Sequence, residues 1–486
     1  MRKEFINEEK VIEIVEKVKR ELRPSREEYE EAFRFFRRIK ELVNEALSPL
    51  NYEFKVSLEG SLAKDTCIRG EIDLDIFLLI RYEGISNEWI EKEILKPIVK
   101  RVSREKDLRI VKRYASHPYL ELYYRNLRAD LVPAYWARSI PEIKTAVDRT
   151  PFHTEYIKLK LNRDELRDEV RLLKKFMKGI GVYGAEIKVE GFSGYLCELL
   201  IVKYGSFINT LRNALNWKPR TVIVIEGDYR REELLKLFPK SPLIVPDPVD
   251  PRRNAAASVS LGSLSKFVLA SRTFLRRPST IFFYPKRISL SLGRLTEIVK
   301  QTERDIFFLE YIIEKSLSPD ILWGELKSIA RRLNNILTSQ GFNVIDVRVW
   351  SDEEEVALIA LDILNPKLPS YTLHRGPPIN KPIDSERFID KYVEDPSVIG
   401  PWIRDDGRLY VIKRRKYTTV YEVLHQLWNN LSSKHLRLRR IFNIDNIPKN
   451  ILSIDEFNYW LTETILKSPF WLSTKYGESA DKYLAK

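Results

Sequence analysis

The sequence predicts an α+β protein with several domains: a unit with a mixed sheet, then a mainly helical unit, then an antiparallel α+β region. Its 486 residues are about three times a typical domain length. Hydrophobic residues make up 44% of the chain, which is enough to build sizeable cores and excludes a mainly disordered protein. The apolar period also changes along the chain between helical spacing and strand alternation. We place the domain boundaries at 1–152, 153–277 and 278–486.

The first unit begins with helices and continues as short strands. Apolar residues at three- and four-residue steps predict amphipathic helices over 9–22 and 26–47. Another helix is expected near 88–101. Short β-like runs bounded by turns predict the strands. They lie at 53–58, 72–80, 108–114, 119–124 and 128–135.

The middle unit is predicted to be mainly helical. A helix over 163–180 ends at glycine, and a second long helix runs from Gly194 to about Leu215. A short strand, Leu243–Val245, leads into a proline-rich loop. A further helix covers about 261–275.

The region after Pro278 alternates helices with hairpins. That order predicts an antiparallel sheet with helices on one face. The predicted helices cover 320–339, 385–393 and 418–432, and the strands cover Asn343–Trp350, Val356–Ile363 and a hairpin with Asp406-Gly407 at its tip.

Composition also excludes several classes of protein. No apolar run approaches the ~18 residues that a membrane helix requires. The charged N-terminus lacks the apolar core of a signal peptide, so we expect a cytoplasmic protein and no membrane partner. Cys67 and Cys197 are too few for a disulfide framework or a zinc pair. The net charge of +14 favours a polyanionic partner, although abundant charge is also typical of high-temperature proteomes.

A pair of aspartates at the start of a predicted strand is the main functional signal. Asp73 and Asp75 are two residues apart, so strand alternation places both carboxylates on one face, about 6–7 Å apart. The apolar run Ile76–Ile80 carries this strand into a core, where paired acids repel one another unless a cation neutralises them. Hard oxygen ligands select Mg²⁺ or Mn²⁺ over zinc. Asp130, on another apolar strand, supplies the third carboxylate that two-metal phosphoryl transfer requires.

A Gly-Ser step precedes these acids at the end of an earlier strand. Gly60 permits close approach of a phosphate, and Ser61 offers a hydroxyl and a backbone N–H to its oxygens. Gly-Ser, a short helical stretch, Asp-x-Asp and a later Asp together resemble the nucleotidyltransferase superfamily. Among its members the chain is most similar to the archaeal-type (class I) CCA-adding enzymes, which are tRNA nucleotidyltransferases.

Three further segments carry this resemblance. They look like the family's Arg-Thr-Pro-x-His segment, its neck signature and its third conserved block. The matches cover about residues 55–275, and the C-terminal third only in outline. The segments are Arg149–Thr154, Gly181–Glu186 with Gly191–Leu200, and Asp247–Ala256.

The resemblance implies an architecture and an activity. The three regions would be a nucleotidyltransferase head, a helical nucleotide-binding neck and a C-terminal RNA-binding body and tail. The enzyme would add or repair the 3′-terminal CCA of tRNA from CTP and ATP, without a nucleic-acid template, in a Mg²⁺-dependent reaction that releases pyrophosphate. It would contact the acceptor stem and TΨC arm of tRNA, and the resemblance is compatible with a homodimer.

The resemblance also assigns side chains to the reaction. The catalytic metal ligands would be Asp73, Asp75 and Asp130. The nucleotide-binding set would be Ser61, Lys64, His153, Lys174, Tyr183 and Arg253, and His117 would lie near the RNA 3′ end. Lys175 is an alternative to Lys174 on the triphosphate, and Arg252 is an alternative to Arg253 on the base. Lys64 stands where the family usually has arginine, so the charge is kept but the bidentate fork is not.

Two other functions fit the same residues. An RNA 3′-nucleotidyltransferase that makes poly(A) or oligoadenylate would share the three acids but accept only ATP. A non-catalytic RNA-binding protein with the same fold is the other hypothesis. The three intact acids argue against it.

Overall fold

The computed structural model describes residues 7–50, 52–114, 117–313 and 317–472. The chain divides into two compact units: a first unit up to Arg287 that also takes in the chain from Pro469, and a second unit, Ile288–Ser468. No helix within these described ranges is long and apolar enough to cross a bilayer. The predicted multidomain α+β class is confirmed. The predicted tail beyond residue 472 lies outside the described residues.

A five-stranded mixed sheet forms the first part of the first unit. Its elements are α1 (Glu8–Leu22), α2 (Arg26–Leu47), β1 (Glu53–Glu59), α3 (Gly60–Ala63), β2 (Asp73–Arg81), α4 (Asn87–Trp89), a π-helical segment (Ile90–Leu95), α5 (Lys96–Val102), β3 (Arg109–Tyr114), β4 (Pro118–Tyr124) and β5 (Leu127–Tyr135). The strand order is β1-β2-β5-β4-β3. β2 and β5 run parallel and the other neighbours antiparallel. One face packs on α2 and α5 in a common core, which leaves the opposite face for other groups.

The rest of the first unit is helical, as the sequence predicts. Its elements are α6 (Thr150–Lys160), α7 (Asp164–Gly179), α8 (Gly194–Tyr204), α9 (Phe207–Ala214), β6 (Thr221–Val222), α10 (Arg231–Leu237), β7 (Leu243–Ile244) and α11 (Leu261–Arg276). Buried phenylalanines fill the core, and Phe176 packs edge-on against Phe207, Phe267 and Phe274. The first helix of the chain, α1, packs into this helical core rather than onto the sheet.

The expected long helix from Gly194 to about Leu215 is wrong, because the structure has two helices there. Gly205 adopts a φ of 77°, the left-handed conformation that ends helices and that glycine adopts without strain. Ser206 then caps the next helix, since its hydroxyl accepts a hydrogen bond from the backbone N–H of Asn209 at 3.1 Å. A Gly-Ser pair inside an apolar run is therefore a break that periodicity alone does not indicate.

The second unit contains a four-stranded antiparallel sheet and a separate three-stranded sheet. Their orders are β14-β8-β10-β9 and β11-β13-β12. The elements are α12 (Leu292–Gln301), β8 (Arg304–Ile313), α13 (Pro319–Ser339), β9 (Asn343–Ser351), β10 (Val356–Leu364), β11 (Tyr371–Pro378), α14 (Pro382–Tyr392), β12 (Ile399–Ile403), β13 (Arg408–Arg414), α15 (Val420–Gln426), β14 (Leu436–Asn443), α16 (Lys449–Leu452) and α17 (Asp455–Leu466).

Two expectations for this unit are wrong. Helices cover both faces of the larger sheet, α13 and α15 on one side and α12 and α17 on the other. The continuous burial of β10 shows why: a strand buried on both faces is apolar at nearly every position rather than at alternate ones, and its one charged residue, Asp362, pairs with Arg304. The predicted helix over 418–432 is also shorter, since α15 ends at Gln426 and a 3₁₀ turn follows.

Candidate active site

The three predicted acids lie on one face of the mixed sheet. Asp75 is directly opposite Asp130 across the parallel pair β2–β5, and Asp73 is opposite Arg128. Residues that face each other on neighbouring strands project to the same side, as do residues two apart on one strand. Leu74 and Ile76, between and after the two acids of β2, belong to the core on the other side. The structure therefore brings the three carboxylates together on the face away from the core.

The pKa values show that these carboxylates influence one another. Burial and the negative charges of Asp130 and Asp73 raise the pKa of Asp75 to about 6. Burial likewise raises the pKa of Asp130, with Glu121 and Asp73 adding to the effect and Arg128 opposing it.

The row of acids continues into the neighbouring strands. Glu59 of β1 is opposite Asp75, and Glu121 of β4 is opposite Asp130, so four carboxylates cross the sheet in register. Glu59 is buried and accepts a hydrogen bond from the hydroxyl of Ser57 at 2.6 Å. The sequence analysis did not find either glutamate, because register between strands is not visible in one sequence.

The guanidinium of Arg128 binds the third aspartate, Asp130. Its Nε lies 3.1 Å from Oδ1 of Asp130 and its Nη2 lies 2.9 Å from Oδ2. Nη2 also donates to Oε1 of Glu121 at 3.1 Å. Over the described ranges, no three acidic, histidine or cysteine side chains form a closed metal-ligand set. The acids share a face, but Asp130 is held by a guanidinium.

Gly60 brings the Gly-Ser step against the acids. It has a φ of 68°, and a Cβ at this position would lie 1.7 Å from Oδ2 of Asp75. Only glycine satisfies both the left-handed backbone and that close approach. Ser61 follows Gly60 directly in the short helix α3. The carboxylate of Asp75 packs directly against the backbone of Gly60, and a carboxylate oxygen is the kind of ligand that a small hard cation prefers.

Two buried lysines, Lys64 and Lys174, lie near Asp75. Nζ of Lys64 donates to Oε2 of Glu198 at 2.6 Å, and Nζ of Lys174 donates to the carbonyl and hydroxyl of Thr66 at 3.1 and 3.0 Å. Thr66 in turn donates to Oε1 of Glu198 at 2.6 Å. The charges of both lysines lower the pKa of Asp75, so both ammonium groups act on the acid cluster.

Glu198 is the buried counter-ion that the sequence analysis missed. Burial alone would raise its pKa, but Lys64 and Lys174 outweigh it and hold the pKa below its usual range. Burial in turn lowers the pKa of Lys174. Two ammonium groups and one carboxylate leave an excess positive charge beside the acids, the sign that a triphosphate requires. A lone glutamate within the apolar run of α8 was the available signal.

The structure separates Lys174 from its neighbour Lys175. Lys175 points to Glu71, with 3.4 Å between Nζ and Oε1, and lies over the ring of Tyr284. Tyr183 instead approaches Lys174, since a Cβ on Gly194 would be 3.0 Å from its hydroxyl and 3.7 Å from Nζ of Lys174. Burial raises the pKa of Tyr183 well above its usual value, so the phenol stays a hydrogen-bond donor.

A second cluster forms around the buried carboxylate of Asp247. It accepts from the hydroxyl of Tyr195 at 2.9 Å and from Nη1 of Arg253 at 2.8 Å, and Nε2 of His153 lies 2.9 Å from it. The His153 and Tyr195 rings stack with centroids 4.0 Å apart. Burial opposes ionisation, but the contacts with His153, Val249 and Arg253 lower the pKa of Asp247 to about 2.

The two candidate arginines of this loop differ in their surroundings. The side chain of Arg253 is 36% exposed and is held by Asp247. That of Arg252 is 83% exposed, and its contact with Oδ1 of Asp250 is long, at 3.7 Å. Lys64 lies 6.0 Å from the ring centroid of Tyr195, which links the Asp247 cluster to the lysines. Arg253 is the fixed guanidinium and Arg252 the solvated one.

His117 lies apart from both clusters. It is buried, lines a cavity of about 100 Å³ with Pro133 and Asp148, and has its pKa lowered by burial. The structure does not bring it into contact with the three aspartates. Its assignment to the RNA 3′ end stays a prediction.

Comparisons with known proteins find one family over most of the chain. Residues 168–284 match the family model described as tRNA nucleotidyltransferase, second domain, and residues 306–438 match CCA-adding enzyme, C-terminal domain. The chain is 38% identical to the CCA-adding enzyme of Sulfurisphaera tokodaii, over 94% of this chain and 99% of that protein. It is 39% identical to the CCA-adding enzyme of Pyrobaculum islandicum, over 82% and 90%.

One solved structure, of a cytoplasmic RNA terminal U-transferase, aligns with a TM-score of 0.44 and 15% identity. The alignment covers 57% of this chain and 98% of that one. A similarity of that size does not establish a shared function.

Proposed function

This chain belongs to the family of CCA-adding enzymes, and on that premise we propose that it adds or repairs the 3′-terminal CCA of tRNA from CTP and ATP. The reaction needs no nucleic-acid template and releases pyrophosphate. One observation carries the proposal: Asp75 and Asp130 face each other in the β2–β5 register, with Lys64 and Lys174 beside them. A nucleotidyl-transfer site needs acids that bind divalent cations and basic groups that bind the triphosphate, and this arrangement supplies both.

The acids fit a hard divalent cation. Divalent metal ions are the general cofactors of nucleotidyl transfer, and we assign Mg²⁺ here because the candidate ligands are carboxylate oxygens only. Asp73, Asp75 and Asp130 would hold it. When bound, the cation neutralises the acids and the phosphate oxygens and lowers the pKa of the RNA 3′-hydroxyl.

The remaining groups position the nucleotide. Lys64 and Lys174 place their charges where the leaving pyrophosphate develops charge, and Glu198 fixes both ammonium groups. Ser61 offers its hydroxyl and N–H to phosphate oxygens, and Tyr183 donates from the same side as Lys174. These groups hold the α-phosphorus still while the RNA hydroxyl attacks it in line, so positioning supplies much of the rate.

Arg253 is assigned to the incoming base. Asp247 fixes its guanidinium, which leaves the other N–H groups aimed in one direction. Cytosine presents acceptors at N3 and O2, and adenine presents an acceptor at N1. Guanine and uracil present a donor at the equivalent ring nitrogen, which leaves a guanidinium N–H without a partner. Tyr195 donates to the other oxygen of Asp247, Oδ1, and His153 shares Oδ2 with Arg253, so both residues hold the carboxylate that orients the arginine.

The second unit is assigned to tRNA, because its match is to the C-terminal domain of CCA-adding enzymes. Its edge strand β14 presents Arg437 and Arg439 to solvent. Such cations contact a phosphate backbone by shape and charge rather than by sequence, as expected for an acceptor stem and TΨC arm. A cytoplasmic location and a homodimer stay predictions of the sequence.

The test offers the enzyme a tRNA that ends before CCA, with Mg²⁺ and each labelled nucleotide in turn. We expect cytidine to enter twice without prior adenosine, and adenosine to enter only after two cytidines. Adenosine tailing that ignores CTP would instead select the poly(A)- or oligoadenylate-synthesising alternative.

A variant separates catalysis from mere RNA binding. Asp73→Ala removes one of the acids at the start of β2, and we expect it to abolish incorporation while tRNA binding persists. Unchanged incorporation by Asp73→Ala would refute the catalytic proposal.

A further inference from the structure

Arg128 lies within the row of acids. It is two residues before Asp130 on β5 and directly opposite Asp73 on β2, so its side chain shares their face of the sheet. Its Nε and Nη2 each contact one oxygen of Asp130, at 3.1 and 2.9 Å. A planar guanidinium in this fork engages both carboxylate oxygens at once. The third acid is therefore already bound to a cation that belongs to the chain.

The same guanidinium has a second carboxylate partner. Nη2 of Arg128 lies 3.1 Å from Oε1 of Glu121, the residue opposite Asp130 on β4. Glu121 is buried, and its other oxygen accepts from Nε of Arg113 and from the hydroxyl of Tyr123, both at 2.9 Å. Arg113 and Tyr123 thus hold one oxygen of Glu121, and its other oxygen accepts from Arg128.

These contacts define an exchange. A divalent cation that binds Asp130 must share its two oxygens with the guanidinium that now contacts both, and it is repelled by the same positive charge. The side chain of Arg128 is 41% exposed, so it has room to leave Asp130 without leaving Glu121. Glu121, which Arg113 and Tyr123 hold in place, can keep its contact with the guanidinium of Arg128.

We propose that Arg128 competes with the divalent cation for Asp130, and that Glu121 retains the guanidinium once the cation has taken its place. Arg128 and Glu121 are then positioning residues that set the metal affinity of the free enzyme. The inference rests on the proposed function, since it takes Asp130 as a metal ligand. It adds a residue pair to which the motifs assign no role.

The test measures Mn²⁺ binding by electron paramagnetic resonance, without nucleotide or RNA. Arg128→Gln removes the competing charge, and we expect it to tighten binding about tenfold, the scale of a half-exposed ion pair. Arg128→Lys keeps the charge but cannot engage both oxygens. We expect it to tighten binding severalfold as well. If Arg128→Lys binds like the native protein, only long-range charge acts and the exchange is refuted.

A double-mutant cycle tests the role of Glu121. Glu121→Gln alone should weaken Mn²⁺ binding, because the guanidinium of Arg128 then has only Asp130 as a charged partner and stays on it. In the Arg128→Gln background the same change should have a clearly smaller effect, since no guanidinium remains to be retained. Additive effects of the two changes would overturn the proposal.

Two controls keep the outcomes separate. Arg125→Gln removes an exposed arginine of the turn between β4 and β5, which contacts Glu31 at 3.3 Å and the ring of Tyr124, and should leave Mn²⁺ affinity unchanged. Asp75→Asn should abolish binding at the acid cluster. If Mn²⁺ binding survives Asp75→Asn, the metal site of the proposed function is refuted. If Asp75→Asn abolishes Mn²⁺ binding but Arg128→Lys leaves it unchanged, only the exchange at Asp130 is refuted. Thermal unfolding of each variant checks that it folds.

Discussion

Gly60 is the residue with the least tolerance for substitution in the candidate site. We expect Gly60→Ala to lower kcat about 100-fold, the cost of displacing a catalytic group by roughly 1 Å. The physical reason is that the new Cβ would lie 1.7 Å from Oδ2 of Asp75, so the carboxylate must move. Steady-state incorporation of CMP into a tRNA ending before CCA measures the effect.

Gly70 provides the matched control for this prediction. It also has a left-handed φ, 72°, but a Cβ there would meet nothing within 4 Å. Gly70→Ala should therefore cost about 1 kcal/mol of stability through backbone strain and leave kcat within about twofold. Equal losses in the two variants would mean that strain, and not contact with Asp75, limits the site.

Asp75 makes the metal-free protein less stable at neutral pH. Its pKa is raised from 3.8 to about 6, so the folded state holds the proton more tightly than the unfolded chain does. The stability that this proton gives is fully present below pH 4 and is lost as the pH rises through about 6. Asp75→Asn should then be more stable than the native protein above pH 6, by up to about 3 kcal/mol.

Urea unfolding with a chelator, repeated from pH 4 to pH 8, measures this difference. The gap between Asp75→Asn and the native protein should widen from pH 4 to pH 7 and close again when Mg²⁺ is added to the native protein. A gap that does not depend on pH would contradict the raised pKa.

At the scale of elements, we expect the loop between β7 and α11 to decide which base the site accepts. Asp247→Asn removes the charge that orients Arg253 and holds His153. We expect the preference for CTP over UTP to fall at least about tenfold, because the arginine N–H groups are no longer fixed toward the ring nitrogen. The measurement is kcat/KM for each of the four nucleotides, with thermal unfolding alongside.

Arg252→Gln is the control for that loop. Its side chain is 83% exposed and makes only a distant contact with Asp250, so nucleotide preference should stay within about twofold of the native value. If Arg252→Gln lost selectivity and Asp247→Asn kept it, the reading of the base would belong to Arg252.

Local sequence patterns predicted most elements and missed those that depend on neighbours. The strands and helices around Asp73, Asp75 and Asp130 follow from apolar period and turns, since both act over a few residues. The break at Gly205-Ser206 was missed because an apolar run continues through it. The second helical layer of the larger sheet was missed because burial on both faces depends on distant segments.

At the scale of the molecule, charge favours binding to RNA. The chain carries a net charge of +14. If cations of the second unit bind the tRNA backbone, each neutralised phosphate releases counter-ions and affinity falls with salt. We expect the Kd for tRNA to rise at least about tenfold between 50 and 200 mM NaCl.

Filter binding or fluorescence anisotropy with a tRNA lacking CCA measures this dependence. Charge reversal of two exposed residues at the start of β14, Lys434→Glu with Arg437→Glu, should flatten the slope without changing Mn²⁺ binding to the free enzyme. A Kd that does not depend on salt would contradict backbone recognition.

The sequence by itself determined the α+β class, the order of the strands along the chain in the first unit's mixed sheet, the spacing of the two aspartates on β2 and the resemblance to CCA-adding enzymes. These properties are encoded within short stretches of chain, where strand alternation and turn chemistry act. Only the tertiary structure decided that Asp130 faces Asp75, that Glu198 binds both Lys64 and Lys174, and that the guanidinium of Arg128 binds Asp130. Strand register and buried ion pairs join residues far apart in the chain, and the packing of the whole unit fixes them.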